Sequence, residues 1–140
     1  MKHADSFSLT STLRSEIPSL RSVPLQRIKS DVMGDNYELG VRLVGDAYSK
    51  RLNHIYRNKD KTANILSFPY DKQSGDIIIN IRKAEREYRK FGFHSVSKYV
   101  GFLFIHGLFH LKGYDHGSRM EHEEQLIRAR FHLEAIESRS

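Results

Sequence analysis

The feature that most limits how this chain can fold is its longest apolar run, YVGFLFIHGLFHL, from Tyr99 to Leu111. The run is shorter than the ~20 residues a membrane span needs, so it belongs inside a core. Ser95 stands where an N-cap would, and Gly113 where a helix ends in the left-handed conformation. The run therefore predicts a helix from about Ser95 to Lys112. At 140 residues the chain is one domain's worth. A domain of about 150 residues buries ~70% of the surface of its unfolded chain, enough to cover such a helix. The odd members of the run are His106 and His110. Two imidazoles in an apolar segment are costly unless their polar nitrogens find partners.

Around this helix the pattern is that of an α+β fold. SFSLTSTL carries β-favouring residues, and a helix ended by Gly34 is expected over Leu25–Met33. NYELGVRLVG alternates at Tyr37, Leu39, Val41 and Leu43 and reads as a strand. Asp46 is placed to cap a helix through about Tyr56. NILSFPY and GDIIINI, joined by the turn-like DKQSG, predict a hairpin. RKAEREYRKF reads as a helix stopped at Gly92. Ser118 and Glu121 have the spacing of a capping box for a last helix to about Ile136. The expectation is a single domain over residues 1–140, with several helices around a small sheet. The tail 137–140 should be frayed, and residues 1–35 are the least readable part.

Two residues four apart lie one turn above each other on a helix, so His106 and His110 can aim at one point. Gly113, at the position after the helix, can turn the chain back and bring His116 to them. Three neutral imidazoles with an open position make up a catalytic zinc site, at the end of this late helix. The ligand type also admits nickel, copper or iron, but suits oxygen-preferring ions poorly. Chance is a weak rival: 8 histidines in 140 positions give this triple about 0.02 times. Asp115 has the position of a carboxylate that orients a ring, or of a plain turn residue. The same histidine and glycine spacing occurs in H-E-x-x-H-x-x-G-x-x-H metallopeptidases, but here Gly107 takes the glutamate's place. The general base of peptide hydrolysis is missing, which argues against a protease. The glycine is also expected to open room beside the metal.

The formal net charge of +6 favours polyanionic partners, with nucleic acid ahead of an anionic membrane. There is no cysteine, so disulfides and thiolate metal sites are excluded, which suits a reducing compartment. MKHADSFSLTST has no apolar h-region, so no secretory signal is expected.

HGLFHLKGYDH resembles the H-G-x-L-H-L-x-G-Y-D-H signature of the YbeY family of bacterial endoribonucleases, with Phe109 where leucine is usual. LNHIYRNKD, from Leu52 to Asp60, is similar to the family's L-N-x-x-Y-R-x-K-D. NILSFPY resembles its D-V-L-S-F-P, and GDIIIN its G-D-I-x-I. These motifs run in order from about residue 39 to 125. The resemblance implies a mixed sheet with surrounding helices and one metal ion, usually zinc, on His106, His110 and His116. It also implies a single-stranded or precursor ribosomal RNA substrate, with a role in rRNA processing, small-subunit 3′-end maturation and ribosome quality control. The ribosomal small subunit or its proteins are implied as partners, in the cytoplasm and with no membrane. Arg57 takes the position of the family's functional arginine. The chain departs from the family at Thr62, Ala63 and Asn64, where P-T-D is usual, so Asn64 has the polarity of that position without its charge.

Several residues carry two readings. Arg57 can grip a phosphate with two donors, or pair with Asp60. Arg82, Arg86, Arg89 and Lys90 fall near one helix face, which suits an RNA backbone or simple solvation. Phe68, Pro69 and Tyr70 are read as core and strand-edge packing ahead of base stacking, and Met120 as core. His3, His54, His94, His122 and His132 share no spacing with the triad. The leading reading is metal-assisted phosphodiester cleavage with Arg57 on the phosphate. The alternative is a non-enzymatic ribosome-assembly or RNA-binding factor with a structural metal, marked by a fourth protein ligand.

Overall fold

A computed structural model describes residues 6–113 and 117–135. The elements run β1 (Phe7–Ser11), α1 (Leu25–Met33), β2 (Glu38–Val44), α2 (Asp46–Arg57), β3 (Ile65–Asp71), β4 (Ser74–Asn80), α3 (Ile81–Glu87), α4 (Val96–Leu111) and α5 (Ser118–Arg130). The α+β fold expected from sequence is present, and the four strands form one sheet in the order β1-β2-β4-β3. β1 with β2 and β2 with β4 are parallel, while β3 and β4 form the antiparallel hairpin. The sheet is therefore mixed, and β3 is an edge strand.

Strand alternation assigns the two faces. Leu39, Val41 and Leu43 of β2 and Ile77 and Ile79 of β4 enter the main core with Ile28 and Val32 of α1 and Phe104, Ile105 and Leu108 of α4. Val44, Leu66 and Ile78 point the other way and pack with Tyr48 and Leu52 of α2. Thus α4 covers one face of the sheet and α2 the other. α4 is apolar on nearly every side because α1, the sheet, α3 and α5 all pack against it. Its start is the one predicted: Ser95 Oγ accepts from Lys98 N at 3.2 Å. Among the described residues no helix is long and apolar enough to cross a membrane.

Four helix boundaries differ from the sequence pattern. Asp46 is the first residue of α2 rather than its cap, and its carboxylate is taken by Arg86 Nη1 at 2.8 Å and Asn80 Nδ2 at 3.0 Å. That pairing holds its carboxyl below the usual range, the Arg86 hydrogen bond contributing most. α3 ends at Glu87, and the chain reaches Gly92 (φ 88°) through turns, with Gly92 N on Arg89 O and Phe93 N on Tyr88 O. The capping box does not form. Ser118 is already helical, and Glu121 N bonds Gly117 O at 3.0 Å. α5 stops at Arg130 rather than Ile136, where Leu133 N bonds back to Arg128 O at 2.8 Å and buries Leu133.

Candidate metal and phosphate site

α4 brings His106 and His110 together as their spacing predicts. The ring centroids lie 4.6 Å apart with planes at 86°, and the two Nε2 atoms face each other at 3.1 Å. The other ring nitrogen of His106 is held from α5, where Glu124 Oε2 lies 2.9 Å from His106 Nδ1. A carboxylate accepts, so Nδ1 carries the proton and the Nε2 lone pair faces His110. Glu124 is only 4% exposed. Its second oxygen accepts from Arg128 Nη1 at 3.0 Å, and the Arg128 guanidinium lies 5.0 Å over the Phe102 ring. A buried carboxylate thus has a buried cation as its counter-charge.

The pair fits a transition-metal ion. Two imidazole nitrogens on a tetrahedral zinc, at about 2.0–2.1 Å each, stand about 3.3 Å apart. The Nε2 separation here is 3.1 Å. A carboxylate on the far nitrogen of a ligating histidine is the usual means of fixing its tautomer and ring plane. Among the described residues no third ligand joins the pair. His116 lies outside the described residues, as does Asp115. The helix end before them is as predicted. Gly113 has φ 97°, and its N–H bonds His110 O at 3.0 Å.

The histidines line a cleft of about 1000 Å³ that follows edge strand β3. Arg57, exposed at the last turn of α2, lines the same cleft, so the structure joins the arginine and the histidines from opposite sides of the sheet. Asp60 does not hold Arg57 back; it stands 3.8 Å from Lys50. Asn64 also lines the cleft, its amide 3.5 Å from the Tyr99 hydroxyl. That hydroxyl donates to Glu87 at 3.0 Å, and burial, aided by Glu87, pushes the Tyr99 pKa well up.

One sequence expectation needs correction. Gly107 does not open room beside the histidine pair. A Cβ there would meet Ile65 Cδ1 at 2.8 Å, Ser67 Oγ at 3.0 Å and Ile77 Cδ1 at 3.2 Å. The glycine lets α4 close on β3 and β4, and its carbonyl accepts from Ser67 Oγ at 3.2 Å. The basic residues within α3 are engaged by neighbours, while Arg89 and Lys90 lie past its end at Glu87. Arg82 is tied to Glu85, Ser15 and Glu16, Arg86 to Asp46, and Lys83 to Glu87. Phe68 packs edge-on to Tyr56, with centroids 5.1 Å apart, as its packing reading expected. Met120 is in the core.

Glu124 and Arg128 were missed from sequence. The available signal was a glutamate between Met120 and Ile127 on the buried stripe of α5, with an arginine four residues on.

The family model "Endoribonuclease YbeY" matches residues 10–136. A curated protein named endoribonuclease YbeY from Alkaliphilus oremlandii is 35% identical over 111 residues, covering 72% of this chain and 70% of the relative. One of the same name from Finegoldia magna is 34% identical over 120 residues, covering 80% and 75%. The solution structure of TM1509 from Thermotoga maritima superposes with a TM-score of 0.60 at 19% identity, covering 96% of this chain and 99% of that one. That likeness concerns the fold.

Proposed function

The chain belongs to the endoribonuclease YbeY family, and from that premise we propose that it is a metal-dependent hydrolase that cuts single-stranded RNA. The proposed cofactor is one zinc ion, with nickel the nearest substitute, held by His106, His110 and His116. The observation that carries this reading is the facing Nε2 pair of His106 and His110, with the far nitrogen of His106 fixed by Glu124. The donor set is nitrogen only, which suits zinc and not magnesium.

A zinc ion held there would supply Lewis acidity at a phosphate oxygen and a lowered pKa for water. The chain's own residues set the rest. Arg57, from the opposite wall of the cleft, grips a phosphate with its planar fork and steadies charge that develops on it. Glu124 keeps the proton on His106 Nδ1 and the ring in plane. Arg128 balances that carboxylate, so the orienting group stays in place in a largely buried site. The proposed substrate is precursor ribosomal RNA, including the small-subunit 3′ end. The proposed setting is rRNA processing and ribosome quality control in the cytoplasm, beside the small subunit. The net charge of +6 and the family's RNA chemistry support it.

The test is cleavage of a single-stranded RNA carrying the precursor 3′ end of small-subunit rRNA. It compares zinc-loaded protein, chelated protein and His110→Ala from one preparation. Cleavage by the loaded wild type alone supports the reading; equal cleavage by all three attributes the activity to a contaminant. A 2′,3′-cyclic end on the products would identify the RNA's own 2′-hydroxyl as the attacking group. Binding of zinc and RNA without cleavage would move the assembly-factor reading ahead.

A further inference from the structure

Two aromatic rings that face solvent lie in the cleft, one from each layer of the fold. Tyr56 is 64% exposed at the end of α2, and Phe91 is 47% exposed just before α4. Neither ring contributes much to the core, yet each is braced from behind. Tyr56 rests on Phe68. Phe91 ends a tier of near-parallel rings: its centroid is 5.7 Å from that of Tyr99 at an interplanar angle of 11°, and Tyr99 lies 6.2 Å from Phe102 at 15°. The inner end of the tier is closed by the Arg128 guanidinium over Phe102. The outer end is Phe91, with Lys90 Nζ over its ring, 5.5 Å from the centroid, on a flexible side chain that a base would displace toward its phosphate.

A stack that starts at the buried charge cluster behind the metal site and stops at a solvent-exposed ring is built to take one more planar group. In a basic protein with an arginine in the same cleft, a nucleobase is the planar group whose attached phosphate the neighbouring cations match. Stacking on a protein ring is sequence-tolerant, because every base has a π-face, and it is open only to an unpaired base. We propose that Phe91 and Tyr56 are base-stacking platforms for the nucleotides on the two sides of the phosphate that is cut, with Lys90 pairing the phosphate of the nucleotide on Phe91. The inference rests on the RNA-cleaving function proposed above. It adds the residues that select single strands: a base held in a duplex cannot reach either ring.

The test uses the zinc-loaded full chain. The protein has no tryptophan, so Phe91→Trp introduces a unique fluorophore at the platform. Single-stranded RNA is expected to quench the introduced indole by stacking, and the same RNA annealed to its complement is not. In single-turnover cleavage, Phe91→Ala and Tyr56→Ala should each raise the half-saturating RNA concentration by about 5–150-fold, the range for loss of one stacked base. Phe91→Trp should stay within about twofold of wild type. Phe91→Leu, which keeps the apolar contact with Tyr99, should behave like the alanine variant and so separate stacking from folding. An RNA with one base removed, scanned along the sequence, should weaken wild type at the two positions flanking the cut. Phe91→Ala should be indifferent to one of those positions and Tyr56→Ala to the other, as coupled pairs are. If wild type binds and cuts RNA but ignores base removal, and Phe91→Leu matches wild type, the platforms are refuted and the nuclease stands. If zinc-loaded wild type neither quenches nor cuts with any RNA, the proposed function falls and the platforms with it.

Discussion

Removing the Glu124 carboxylate perturbs two things that can be read separately. The side chain bonds His106 Nδ1 at 2.9 Å and Arg128 Nη1 at 3.0 Å. Glu124→Gln keeps the size and one acceptor oxygen but removes the charge. Loss of an orienting partner of this kind typically weakens metal binding 10–100-fold, or about 1.4–2.7 kcal/mol. Glu124→Ala also leaves the Arg128 guanidinium buried without its main counter-charge. Breaking a buried pair costs about 3–5 kcal/mol. Glu121 Oε2, 3.6 Å from Arg128 Nη2, and the Phe102 face offset part of that, so about 3 kcal/mol is expected. For 140 residues the unfolding entropy near the midpoint is about 0.3 kcal/mol/K, so this lowers Tm by about 10 °C. The assays are zinc affinity by competition with a chromogenic chelator, and thermal unfolding of the metal-free chain. The metal-free measurement separates the two effects, because bound zinc would itself raise Tm. If Glu124→Gln binds zinc as tightly as wild type, the carboxylate does not orient the ligand and the reasoning fails.

Other predictions follow from the same geometry. Arg57→Ala should lower kcat/KM on single-stranded RNA about 10–150-fold, the worth of a hydrogen bond to a charged group, with zinc affinity unchanged; a parallel loss of zinc would show that Arg57 acts on the metal site instead. Gly107→Glu, which completes the metallopeptidase pattern, should create no peptidase. It should destabilise by at least ~3 kcal/mol in urea, because the new side chain is driven against Ile65, Ser67 and Ile77; a fold as stable as wild type would contradict the close approach of α4. Tyr70 donates to the Asp76 carboxylate, which pushes its pKa up to about 12. A raised pKa means that this bond's contribution is complete below about pH 10 and is lost as pH rises through about 12. Ultraviolet titration should therefore show Tyr70 among the late-ionising tyrosines, with the buried Tyr99 and Tyr37, and Asp76→Asn should move one of them back toward the ordinary range.

What the sequence reveals about this protein follows the range of the interactions involved. α1 stops at Gly34 as its pattern predicts, and α4 runs from its Ser95 cap to the Gly113 turn, because caps and stops are decided within a few residues. The facing histidines are legible for the same reason, as one helical turn fixes their distance. The β3–β4 hairpin is announced by its turn. The parallel pairing of β1 with β2 and of β2 with β4 leaves no local mark. Glu124 reaches His106 across eighteen residues only because α5 packs on α4, so no spacing rule finds it. Gly107 looked like space and is contact, because the neighbours that fill it come from β3 and β4. α3 keeps helical periodicity through Phe91 but unwinds after Glu87, and that unwinding turns Phe91 out into the cleft instead of onto a helix face.

The central claim is that three imidazoles converge on one ion with a fourth position left to substrate chemistry, and X-ray absorption of the zinc-loaded protein tests it most directly. The account predicts three imidazole nitrogens at about 2.0–2.1 Å with one further oxygen donor, and two imidazoles in His116→Ala. A spectrum with four protein ligands, or one that His116→Ala leaves unchanged, would contradict it.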